Sequence, residues 1–127
     1  MRFDWEEKFV HNYINKTKQE RLFFELNSNK KRKDALWRFS HDTEVLLKND
    51  KICLKLQNFD ETQLKHFLSE DEDYVISHKY LDGIMMSTKQ VLEYLADEYT
   101  PVIVCGAKIA LVKKEFESGN DNFFILK

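Results

Sequence analysis

The apolar residues change their period once along the chain, and no other feature restricts the fold as much. Up to about residue 48 they recur at helical spacing. Beyond Asn49 they alternate or gather in short blocks. Trp5, Phe9 and Tyr13 stand four residues apart, with Val10 and Ile14 beside them, so one helical face is apolar. Thr17 to Glu20 has the form of a capping box, in which the Thr hydroxyl and the Glu carboxylate take up the free N–H groups that open a helix. Leu22, Phe23 and Leu26 continue the pattern, and Asn27-Ser28-Asn29 interrupts it. Leu36, Phe39, Thr43 and Leu46 or Leu47 then resume helical spacing, although Val45–Leu47 is equally compatible with an extended chain.

From Asn49-Asp50, a turn signal, the period is shorter. Ile52, Leu54 and Leu56 alternate with Cys53 and Lys55 as in a strand. Asp60–Gln63 and Ser87–Gln90 are two further capping boxes, each followed by apolar residues at helical spacing. Tyr74–His78 is a short strand, rich in residues that fit a pleated sheet, and Asp82-Gly83 is a turn. Pro101 opens the nearly all-apolar Val102–Cys105, expected to be a central strand covered on both faces. Gly106-Ala107 suits a type II′ turn into Ile109–Lys113. A second turn at Ser118–Asp121 leads to Phe123–Leu126, so the last three strands form an antiparallel meander. The expected architecture is a single α+β domain over residues 1–127. Its helical part covers about 1–48 and a mixed part about 50–127, ordered β-α-β-α-β-β-β. One mainly antiparallel sheet of about five strands is backed by helices.

The chain has 127 residues, 43% of them apolar, with ten Phe, five Tyr and two Trp, enough to collapse on a core and too few for two domains. No run approaches the ~20 apolar residues of a membrane span. The opening Met1-Arg2-Phe3-Asp4-Trp5 has no apolar leader stretch. Two cysteines make no disulfide framework, so the expected compartment is the reducing cytosol.

Catalytic signatures are missing. The four histidines fall in no metal-binding spacing, and His66 with Glu70 makes only a pair on one helical face. His41 and Asp42, adjacent on a helix, point about 100° apart and cannot work together locally. Three glycines leave no phosphate-cradling loop. Cys53 and Cys105, among apolar neighbours in strands, are expected to be buried structural thiols. The reading is of a non-enzyme with no catalytic residue, no metal and no cofactor.

Charge is distributed unevenly. Residues 1–56 carry 13 Lys and Arg against 9 Asp and Glu, net +4, and residues 57–127 carry 7 against 13, net −6. The basic run Lys30-Lys31-Arg32-Lys33, with Lys18, Trp37 and Arg38 nearby, supports one reading: a small nucleic-acid-binding or regulatory domain. A pI of about 6.1 weighs against it. The favoured surface is acidic. It comprises Glu70, Asp71, Glu72 and Asp73 in one loop, then Asp82, Glu93, Asp97 and Glu98, with Tyr80, Tyr94 and Tyr99 as aromatic anchors. A small α+β chain with an acidic face and many aromatics resembles the immunity proteins of bacterial toxin–immunity systems, including contact-dependent growth inhibition. That resemblance implies a cytosolic inhibitor in a tight complex with a cognate toxin, often a basic nuclease, and implies no catalytic residue.

Overall fold

Three helices precede the sheet: α1 (Arg2–Tyr13), α2 (Lys16–Leu26) and α3 (Arg32–Leu46). A 3-10 turn at Asn49–Lys51 then leads into β1 (Ile52–Leu56), α4 (Glu61–Phe67), β2 (Glu72–Ser77), β3 (Ile84–Ser87) and α5 (Thr88–Asp97). The chain closes with β4 (Val102–Cys105), β5 (Ala110–Lys113) and β6 (Phe123–Leu126). The computed structural model describes residues 2–68, 72–77 and 81–127. The six strands form one open sheet in the order β1-β6-β5-β4-β2-β3, with every neighbouring pair antiparallel. This is the expected α+β architecture, with one strand more than the sequence suggested. β3 escaped notice because only three apolar residues separate Gly83 from the capping Ser87.

Alternation of side chains across the strands divides the core in two. Ile103 and Cys105 face α1, α2 and α3 together with Tyr74, Ile76, Val112 and Phe124. Val102 and Val104 face α4 and α5 with Val75, Leu111, Phe123 and Ile125. Helices thus cover both faces, and β4, between β5 and β2, is buried throughout, as its unbroken apolar run required. The β4–β5–β6 meander is present.

Local details differ from the expectations at three places, and a fourth, left open by the sequence, is helical. α2 begins at Lys16 behind Asn15, with no side-chain cap, so Thr17 lies inside the helix. Asn15 instead turns its amide to the carbonyls of Val45 and Leu47 at 2.6 and 3.0 Å, tying the end of α3 to the α1–α2 junction. The ambiguous segment up to Leu46 is helical, with a kink at Asp42. Gly106 has no positive φ and forms no type II′ turn. It sits in a close space: a Cβ there would lie 3.2 Å from Asp73 Oδ1 and 3.3 Å from the Ile109 carbonyl, so these neighbours would have to give way by a few tenths of an ångström. Cys53, expected to be buried, is exposed, because β1 is an outer strand and its register shifts between Ile52 and Leu54.

Candidate functional site

One residue of the basic run and one of the acidic set are paired inside the fold. Arg32, in the middle of the basic run, is only 6% exposed. Its Nη1 and Nη2 bond to Glu6 at 2.7 and 2.6 Å, and its Nε and Nη2 bond to Asp82 at 2.6 and 2.9 Å. Nη1 also donates to the Leu26 carbonyl at 2.7 Å, and Tyr74 donates its hydroxyl proton to Glu6 at 2.6 Å. Asp82 further accepts the Ser77 N–H at 3.0 Å. Burial by itself lowers the pKa of Arg32, but the hydrogen bonds and charges of Glu6 and Asp82 more than reverse this, so the guanidinium stays charged. One planar fork thereby fastens α1, α3 and the β2–β3 connection together.

The consequence for the proposed surfaces is direct. Asp82 is held by Arg32 and by the Ser77 N–H, with its side chain 20% exposed, and is fixed in the fold as a structural partner of the guanidinium. Asp73, at 0% exposure, accepts from the Thr88 hydroxyl at 3.2 Å and is a core residue. Its strand continues into the buried Tyr74–Ser77, so the alternation that exposes Glu72 turns Asp73 inward. Tyr94 is half-buried against the α5 core and bonds Ser77 Oγ at 3.3 Å. Glu70, Asp71 and Tyr80 lie outside the described residues. Among the described residues, the expected acidic surface is therefore interrupted at Asp73.

Glu72 is exposed at the Cys105 end of the sheet, whereas Asp97, Glu98 and Tyr99 lie at the opposite end, ahead of Val102. Glu93 and Asp97 stand four residues apart on the outer face of α5, and Tyr99, just beyond its end, is 71% exposed. Glu98 is half-buried and accepts from Thr100 Oγ1 at 2.7 Å, which fixes the turn out of the helix. The connection between β5 and β6 packs beside this turn. Phe116 donates its N–H to the Tyr99 carbonyl at 3.1 Å, and the two rings meet edge to face at 6.3 Å. On the other side of the same connection, Glu115 donates its N–H to Ser40 Oγ at 2.9 Å. A cleft of about 510 Å³ opens there, lined by Asp42, Glu44, Val45, Lys114, Glu117 and Asp121 among others.

This end is acidic. Glu44 and Glu117 pair with Lys55 and Lys114 at 3.3 and 3.4 Å, whereas among the described residues no ion pair engages Asp42, Asp97 or Asp121. A smaller cleft of about 180 Å³ lies beneath Tyr99 and Phe116, and Lys113 lines it. Of the sequence-derived residues, Asp97, Glu98 and Tyr99 belong to this end. Phe116, Asp121 and Asp42 were missed, since no spacing signal links residues 42, 97 and 121. The turn at Ser118–Asp121 was the one pointer to an exposed connection.

No protein-family model, curated protein or solved structure matches the chain. Among the described residues, no group of three or more His, Cys, Asp and Glu is placed to hold a metal ion. No helix there is long and apolar enough to cross a membrane.

Proposed function

We propose that this chain is a cytosolic protein-binding inhibitor, without enzymatic activity, that neutralises a cognate basic toxin, such as a nuclease, in the manner of bacterial immunity proteins. The observation that carries the reading is the exposed Tyr99–Phe116 pair beside Asp97, at the same end of the sheet as the cleft lined by Asp121 and Asp42. Large aromatics at the centre and charges at the rim are the usual anatomy of a protein interface. A surplus of carboxylates draws in a cationic partner at a salt-dependent rate.

The alternative, nucleic-acid binding through Lys30–Lys33, loses its arginine to the core and keeps only three exposed lysines there. Co-expression with a toxin encoded beside this gene is the test. The inhibitor reading expects survival and a complex on a sizing column, and Asp97→Lys combined with Asp121→Lys should abolish both. Equal killing with and without the chain, and no complex, would sink the reading and favour the lysine patch.

A further inference from the structure

We infer that the cavity between α1 and the β4–β5 turn binds a small aromatic carboxylate, its single ring inserted and its charge held at the mouth. The inference is independent of the reading above and involves no residue of the acidic end. The apolar row on α1 builds the site. Trp5, Phe9 and Tyr13 follow one another at four-residue spacing, and all three line a cavity of about 180 Å³. Phe9, Cys105, Ile109 and Ala110 are buried and form its floor, whereas Lys8, Asn12 and Ala107 are exposed and ring its mouth. The aromatic walls are already set in place. Trp5 stacks on Tyr74 with ring planes 3° apart and centres at 6.1 Å, and Phe9 meets Tyr13 at 5.8 Å. An apolar cavity of about 150 Å³ accepts a benzene ring, so this volume takes one ring with a small substituent.

Charge selects the substituent. Lys8 is the only charged residue in the lining. Among the described residues no ion pair engages it, and Asp4, Glu7 and His11 border a separate cleft beside it and do not line this one. Burial first, and then the thiols of Cys105 and Cys53, hold the Tyr13 phenol above its ordinary pKa, so it keeps its proton. The lining thus offers an ammonium, an amide and a phenol, and no carboxylate. That set suits a carboxylate and disfavours a ligand ammonium. The charge stays at the mouth. Burial first, and then Glu6 and Asp73, push the Cys105 thiol far above its ordinary pKa, so the floor is neutral and feels a negative field. The ring therefore enters first, against Phe9, Ile109 and the Cys105 sulfur, and its carboxylate remains beside Lys8.

The test follows the backbone amide and Trp5 indole shifts of the full chain with three probes at equal ionic strength: benzoate, benzyl alcohol and benzylammonium. Benzoate should move the Trp5 indole and the amides of Asn12, Gly106 and Ala107, and saturate in the millimolar range. Benzyl alcohol should bind about fivefold more weakly, the margin between a charge-assisted and a neutral hydrogen bond. Benzylammonium should bind more weakly still. Lys8→Met, a change on the exposed rim, should leave the melting temperature of the free chain nearly unaltered and reduce benzoate to the level of benzyl alcohol. Trp5→Ala should weaken both of these probes while the rest of the spectrum keeps its dispersion. Equal binding of the three probes overturns the inference. So do an unchanged preference for benzoate in Lys8→Met, shifts confined to another surface, or no shift at all. The protein-binding role is read separately, by Asp97→Lys with Asp121→Lys, and stands or falls apart from these outcomes.

Discussion

Arg32 sits where a sequence reading expects a solvated lysine-like charge, yet it meets two carboxylates from segments 26 and 50 residues away. Truncating it leaves Glu6 buried without its counter-charge, at 1% exposure, and Asp82 partly so. Arg32→Met should therefore destabilise the fold by about 3–5 kcal/mol, read from the midpoint of urea unfolding. Arg32→Lys should recover only part of this, because a single ammonium cannot serve both carboxylates in a fork geometry. An unaltered midpoint in Arg32→Met would mean that the cluster is open to water. Cysteine reactivity gives a second test. Burial first, then the charges of Glu6 and Asp73, push the Cys105 thiol far above its ordinary pKa, whereas Cys53 is exposed. Iodoacetamide at neutral pH should modify Cys53 alone in the native protein and both thiols in denaturant, as read by mass spectrometry. Rapid native labelling of Cys105 would contradict the burial of β4.

Among the elements, β4 carries the most. It pairs with both β2 and β5 and feeds the two halves of the core from its alternate residues. Val104→Asp places an unpaired carboxylate against Leu111 and Val75, at a cost of several kcal/mol, and should leave no cooperative thermal transition. The start of α4 is held more lightly. Asp60 accepts the Gln63 N–H and side-chain amide, each at 3.1 Å, and these bonds hold its carboxyl below the usual range. A carboxyl with a lowered folded pKa stabilises the native state above its unfolded pKa, and the gain fades as pH falls through the folded value. Asp60→Ala should accordingly lower the melting temperature at pH 7 and converge with the parent chain in acid below the ordinary aspartate range. A difference that persists unchanged at pH 2 would assign the effect to helix propensity instead.

For the molecule as a whole, the fastened core and the acidic end are separable. The Arg32 fork and the two apolar layers set stability, whereas Asp97 and Asp121 lie outside every ion pair among the described residues. Reversing both charges should leave the melting temperature nearly unchanged and slow association with a basic partner at low salt by roughly tenfold or more. The effect should shrink as salt screens the end. A large stability loss with no change in association rate would make these residues structural.

Periodicity decided much of this architecture before any contact was known. The α+β order, the buried β4, the closing meander and the Ser87–Gln90 capping box, which forms with both of its halves, all follow from interactions within a few residues. Such interactions leave a local signature: a cap needs a hydroxyl and a carboxylate or amide three residues apart, and a strand covered on both faces needs an unbroken apolar run. The tertiary structure alone decided which charges face solvent. Arg32 and Asp82 look like surface residues in the chain, and only the approach of α1, α3 and the β2–β3 connection pairs them with each other and with Glu6. Cys53 became exposed because β1 ended at the edge of the sheet, a matter of strand order that alternation does not encode. The site at the sheet end was half visible for the same reason. Asp97, Glu98 and Tyr99 form one local cluster, but the Phe116 ring that completes it arrives by a chain reversal, and the energy that places it lies in contacts distant in sequence.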